Sequence, residues 1–200
     1  MLYGIGLGPG DPELLTRKAI GLIEQADEVI VPGGVARDII QGIREPRVFE
    51  FPMGGGKEAA EKLSEELARR CLEEDIAFCC LGDVTLFSTF QELAEAVGAR
   101  DPEVKIEMVP GITSVQAALS RLGVFIDAPM LITTGELKEP ELYAIMKATR
   151  PTDVEWRLRE EGFDEFYIAE KVTMEGERVE RIDSFPERSH YFTLLLAKRR

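Results

Sequence analysis

The sequence predicts an α/β protein of two domains, the first built on a mostly parallel sheet and the second on a mixed one. Three observations carry this reading. Short apolar runs alternate with amphipathic helical stretches through the first half, a pattern that needs crossover connections and parallel strands. Ile76 to Leu81 is apolar without a break, as in a central strand covered on both faces. Beyond about Pro110 the apolar runs follow one another through shorter connections, which favours antiparallel pairing. The boundary is placed between residues 1–110 and 111–200.

The elements follow in order. Leu2 to Leu7 alternates apolar residues with glycine and reads as a strand. Asp11 suits a helix cap, Pro12 the first turn and Glu13 the positive end of the dipole, with Leu14, Leu15, Ala19, Leu22, Ile23 and Ala26 at helical spacing. Glu28 to Val31 is a strand closed by Pro32-Gly33-Gly34, and Val35 to Ile43 is helical. After Arg47 to Phe51 and the break at Gly54-Gly55-Gly56, Lys57 to Glu74 is a long amphipathic helix. Phe90 to Val97 reads as a helix, Val104 to Val109 as a strand and Gly111 to Leu122 as a helix. In the second half, Leu131 to Thr134 is expected to be a strand, and Leu142 to Ala148 fits strand and helix equally. Thr152 to Glu161 is helical, and Phe166 to Val172, Arg178 to Ile182 and Tyr191 to Lys198 read as strands.

Bulk properties narrow the function. A net charge of -13 disfavours nucleic acid, which calls for a basic face, and anionic membrane surfaces. No apolar run reaches the roughly 18 residues of a membrane span, and no signal peptide is evident. A cytoplasmic, reduced protein is expected, with Cys71, Cys79 and Cys80 as small buried hydrophobes. The lone His190 supplies neither a metal cluster nor, with Ser88 or Ser114, a hydrolase G-x-S-x-G context.

Three loops stand out: Gly4-Ile5-Gly6-Leu7-Gly8-Pro9-Gly10-Asp11-Pro12, Leu81-Gly82-Asp83-Val84-Thr85-Leu86-Phe87-Ser88 and Val109-Pro110-Gly111-Ile112-Thr113-Ser114. Each follows a strand and precedes a helix, and ligands of open α/β sheets bind where such loops gather. A dinucleotide fingerprint fits poorly. Pro9 removes a donor where a pyrophosphate would sit, and Glu28-Val29-Ile30-Val31 carries no acid at its carboxyl end. Gly54-Gly55-Gly56-Lys57 lacks the spacing and hydroxyl of a phosphate loop.

In order and spacing, these three loops resemble those of the tetrapyrrole (corrin/porphyrin) methylases. The stretch Tyr3 to Thr16, Phe51-Pro52-Met53, Ser88-Thr89-Phe90 and Tyr191-Phe192 are similar to the precorrin-2 or cobalt-factor II C-20 methyltransferases. The resemblance implies a homodimer of two α/β domains with S-adenosyl-L-methionine in the cleft between them, leaving as S-adenosyl-L-homocysteine. It implies that Pro9 lines the cleft, that Gly82, Asp83 and Leu86 hold the methionine and ribose portions, and that Thr113 and Ser114 lie beside the amino-acid end. Met146 would pack on the adenine, which the end of the strand Ala169 to Val172 also reaches. The family's G-D-P-x-x-Y-S reads Gly82-Asp83-Val84-Thr85-Leu86-Phe87-Ser88 here, losing a proline and a phenol. The acceptor would be an anionic tetrapyrrole of cobalamin biosynthesis. A C-5 methyltransferase of that pathway and a diphthine synthase-like protein methyltransferase are the alternatives. The donor carries its own activated methyl, so no catalytic nucleophile, metal or triad is needed, and the proton acceptor stays open among Asp83, Asp11 and water. An acidic chain that binds a polycarboxylate needs a local basic trough, expected at Arg17, Arg37, Lys57 and Lys171.

Overall fold

The computed structural model describes residues 1–52, 54–134, 138–147 and 150–199. The chain forms two compact units, Met1–Phe125 and Ile126–Arg200.

The first unit alternates β1 (Leu2–Gly6), α1 (Arg17–Gln25), β2 (Glu28–Val31), α2 (Gly34–Ile40), β3 (Arg47–Val48), α3 (Gly56–Arg70), β4 (Ile76–Cys80), α4 (Thr89–Arg100), β5 (Ile106–Val109) and α5 (Ser114–Leu122). Its five strands run parallel in the order β3-β2-β4-β1-β5. Both faces are covered. Leu2, Ile30, Ile76 and Phe78 pack with Leu63 and Leu67 of α3 and Phe90 and Leu93 of α4. Ile5, Val31, Ala77 and Cys79 pack on the other side with Ala19 and Ile23 of α1 and Ile39 and Ile40 of α2. All five residues of β4 are therefore buried, which is why its sequence shows no polar alternation.

One local expectation changes. Asp11 caps a short 3-10 turn, Pro12–Leu14, accepting from Glu13 N at 3.0 Å. The chain then extends through Leu15, and α1 starts only after Thr16, whose hydroxyl accepts from Ala19 N at 3.1 Å. The hydroxyl of Thr16, not Asp11, thus satisfies an amide of the long helix.

The second unit holds β6 (Leu142–Met146), α6 (Thr152–Glu160), β7 (Glu165–Glu170), β8 (Arg178–Ile182) and β9 (Thr193–Lys198). Its sheet has the order β6-β9-β7-β8, and every pairing is antiparallel rather than mixed. The crossover through α6 does leave β6 and β7 pointing the same way. The last strand, β9, inserts between them and runs against both. Leu131 to Thr134 forms no strand, and the segment that fitted strand and helix equally is a strand over Leu142–Met146. Ala148 lies outside the described residues, as does Met53. Phe166, Ile168, Leu195 and Ala197 bury one face of this sheet with Leu158, Phe163 and Phe185.

An ion cluster fastens the edge of the first sheet to α3. Arg47 of β3 donates to both oxygens of Glu66, at 2.7 and 2.9 Å, and Arg70 donates to Glu66 and Glu28 at 2.6 Å each. These hydrogen bonds, Arg47 first, hold the Glu66 carboxyl down at about 2. A carboxyl lowered by folding stabilises above its ordinary value of 4.5 and loses that contribution as pH falls toward about 2. Glu66→Gln is expected to cost about 1 kcal/mol at pH 7, a modest figure because the side chain is over a third exposed. Urea unfolding across pH should show the gap between variant and parent closing between about pH 4.5 and 2.

Candidate functional site

Strands β4, β1 and β5 are neighbours, so the loops that leave their carboxyl ends emerge side by side. These are the three glycine loops of the sequence. They are tied to one another by backbone. Leu7 N donates to Cys80 O at 2.8 Å, and Gly8 and Gly82 exchange two amide hydrogen bonds, at 3.2 and 2.7 Å, as an antiparallel bridge between loops. Gly6 and Gly111 pack against the same junction with no room for a side chain. A Cβ on Gly111 would sit 2.2 Å from Gly82 O, and one on Gly6 would sit 2.6 Å from Gly111 N and 2.7 Å from Gly82 O.

Asp83 completes the junction. Only 9% exposed, it accepts from Gly111 N at 2.9 Å through Oδ2 and from Thr85 N at 2.8 Å through Oδ1. The Thr85 hydroxyl donates to the same Oδ1. One carboxylate therefore closes the turn after β4 and clamps it to the turn after β5. Three of its roughly four lone-pair sites are occupied. It caps no helix; that task falls to Ser88, which accepts from Phe90 N at 3.1 Å at the start of α4.

The remaining first-unit candidates sit on the same loops. Pro9 and Leu86 are half-buried, Thr113 caps α5 by accepting from Gln116 N, and Ser114 is exposed at the first position of that helix. The Thr113 hydroxyl also donates to Gln116 Oε1. Cys80 Sγ lies 3.1 Å from Ser88 Oγ behind the loop. Burial pushes the thiols of all three cysteines up, Cys71 to about 11, so they stay protonated at neutral pH.

Met146 and Val172 belong to the second unit, at one end of its sheet. Met146 pairs with Leu194, and Leu194 pairs with Ala169, so the three form a row on one face. Met146 is 72% exposed and Val172, two residues past β7, is also exposed. Leu194 had no signal in the sequence, because only strand register assigns it to this row.

Backbone strain marks the same places. Among the described residues, four that are not glycine have left-handed backbone: Phe87, Lys147, Lys171 and Thr173, with φ of 48°, 56°, 50° and 65°. Such a conformation costs about 1–2 kcal/mol per residue. Phe87 lies in the β4 loop, and the other three lie at the sheet end that carries Met146 and Val172.

Beside the β4 loop, a cavity of about 930 Å³ is lined by Phe51, Lys57, Phe87, Glu61, Glu92 and Glu95, among others. Three carboxylates against one ammonium give it a negative rim, unsuited to an anion. Of the other expected cations, Arg37 is committed to Asp38 by two bonds of 3.0 and 2.7 Å, and Arg17 is exposed at the start of α1.

Two substitutions test the junction. Gly111→Ala drives a methyl into the Gly82 carbonyl and should cost about 3 kcal/mol. Asp83→Ala strands the Gly111 amide and should cost about 2 kcal/mol. Denaturant midpoints at unchanged slope would report both.

The description Tetrapyrrole (Corrin/Porphyrin) Methylases belongs to a family model that matches residues 1–184. The chain is 34% identical over 134 residues to a probable cobalt-precorrin-2 C(20)-methyltransferase of Methanocaldococcus jannaschii, covering 62% of this chain and 57% of that one. It is 32% identical over 135 residues to the cobalt-precorrin-2 C(20)-methyltransferase of Salmonella typhimurium, covering 60% and 56%. The matched stretch thus spans little more than half the length of these relatives. Among solved structures, the methyltransferase CobJ has a similar fold, with a TM-score of 0.54 at 20% identity over 99% of this chain and 93% of that one. The family match takes in all three loops and most of the second unit, and the chain belongs to the tetrapyrrole methylases.

Proposed function

We propose that this chain is an S-adenosyl-L-methionine-dependent C-methyltransferase of cobalamin biosynthesis that methylates precorrin-2 or cobalt-factor II at C-20. The observation that carries the reading is the three-loop junction at β1, β4 and β5, on a chain of this family. The C-20 position draws on the names of the two relatives above.

The residues suit the donor. A Cβ on Gly82 would meet nothing within 4 Å, so its backbone faces open space where a ligand can approach. Pro9, Gly82 and Leu86 would line the methionine and ribose portions. Asp83, already committed to Gly111 and Thr85, would act by fixing that wall and not as a free base. Thr113 and Ser114 would set the amino end of α5 toward the donor's carboxylate, which the helix dipole favours. Met146 and Val172 would bound the adenine.

The donor supplies an activated methyl on a sulfonium. What the chain then contributes is placement: an acceptor carbon held in line can gain several kcal/mol from orientation alone. A homodimer in the cytoplasm belongs to the same reading. Among the described residues, no helix is long and apolar enough to cross a membrane.

Labelled donor should be incubated with metal-free and with cobalt-bearing precorrin-2, and the ring analysed by mass. One new methyl at C-20 is expected. A methyl at C-5, or transfer only to a protein histidine, would contradict the assignment.

A further inference from the structure

Resting on the proposed function, we infer that Phe87 is the platform on which the broad face of the acceptor ring is set beside the donor. Two of its properties do nothing for the fold. Its side chain is 64% exposed, although apolar rings are ordinarily buried. Its φ of 48° is left-handed, a backbone that residues with a Cβ adopt only at a cost.

The loop holds that strain from both sides. Ahead of Phe87, the Thr85 amide and hydroxyl bind Asp83 Oδ1, and Leu86 N donates to Asp83 O at 3.3 Å. Val84 is buried in the core shared with α3 and α4. Behind it, Ser88 Oγ accepts from Phe90 N and Ser88 O accepts from Gln91 N, each at 3.1 Å. Strain persists where its surroundings over-determine it, and such positions cluster at ligand sites. The cavity that Phe87 lines supplies the place for a ligand.

That cavity, of about 930 Å³, is lined by the first unit alone. The helix α3 follows β3 and α4 follows β4, so both start at the carboxyl end of the parallel sheet. Phe51, Pro52 and Phe87 therefore stand at the upper end, on the side of the glycine loops. Glu61 and Glu95 lie lower, on the second turns of α3 and α4. The stretches Phe51-Pro52 and Ser88-Thr89, distant in sequence, meet in this lining.

An apolar mouth above an acidic depth selects what can enter. Glu61 and Glu95 repel a carboxylate arm, so an anionic macrocycle meets this wall by its uncharged face, with its arms turned away. An aromatic ring at the mouth suits such a face through stacked or edge contact. Phe87 also shares its loop with Gly82 and Leu86, which are proposed against the donor, so a ring resting on it lies toward the methyl.

The test measures binding of uroporphyrin III, a stable octacarboxylate ring with its own fluorescence, and of S-adenosyl-L-homocysteine by calorimetry. The proteins are the parent chain, Phe87→Gly and Phe87→Tyr. Phe87→Gly should weaken ring binding about tenfold through the lost aromatic contact. It should also raise the denaturation midpoint, because glycine takes this backbone without strain. Affinity for S-adenosyl-L-homocysteine should stay within about twofold, as for sites without a shared partner. Phe87→Tyr keeps the flat ring and should keep ring binding. Ring affinity in Phe87→Gly equal to the parent's would overturn the platform and leave the proposed activity standing. An equal loss of ring and S-adenosyl-L-homocysteine would overturn it too, by marking a displaced loop. A parent chain that binds S-adenosyl-L-homocysteine but no ring would overturn the acceptor assignment and the platform together.

Discussion

The hydrogen bond from Gly111 N to the Asp83 carboxylate joins parts of the chain 28 residues apart, and the candidate site depends on it. It works because three backbones meet without side chains. A methyl group on Gly6 or on Gly111 would collide with the Gly82 carbonyl, at 2.7 and 2.2 Å. The bridge between Gly8 and Gly82 adds a second tie. Loops in α/β folds are ordinarily the mobile part of the molecule. Here the ends of β4, β1 and β5 are linked into one surface, and a buried carboxylate with three donors makes that surface costly to distort.

This changes how Asp83 is understood. An acid in a glycine loop invites a role in proton transfer. With Thr85 on one oxygen and Gly111 on the other, Asp83 holds two loops together, and its negative charge serves the backbone. The same economy fits a donor that brings its own leaving group. On the proposed reading, the protein needs a shaped wall more than a reactive side chain. His190 accepts from Phe192 N at 3.1 Å, just ahead of β9.

Much of the fold was legible in the residues, for a physical reason. Burial on both faces turns β2 and β4 into continuous apolar runs bounded by proline, glycine or charge, and Glu28–Val31 is recovered without error. The three loops were visible because glycine and proline mark sharp turns. Less legible was anything set by distant partners. Nothing near Asp11 says that the chain extends at Leu15 before Thr16 starts the helix. The second sheet depends on β9 returning between β6 and β7, a choice made by tertiary packing, so its strand order and the row Met146, Leu194, Ala169 could not be read. Lysines with left-handed backbone carry no sequence mark at all. Leu131 to Thr134 has an apolar start typical of strands, yet it forms no strand in the structure.

Site-resolved amide hydrogen exchange at Gly8, Gly82 and Gly111 measures whether the strand-end loops are one structure. Each of these amides is a donor in the junction, so all three should exchange slowly, together, and more slowly still with S-adenosyl-L-homocysteine present. Fast exchange at loop rates, indifferent to that ligand, would mean that the loops move independently and that no preformed wall exists for a donor to meet.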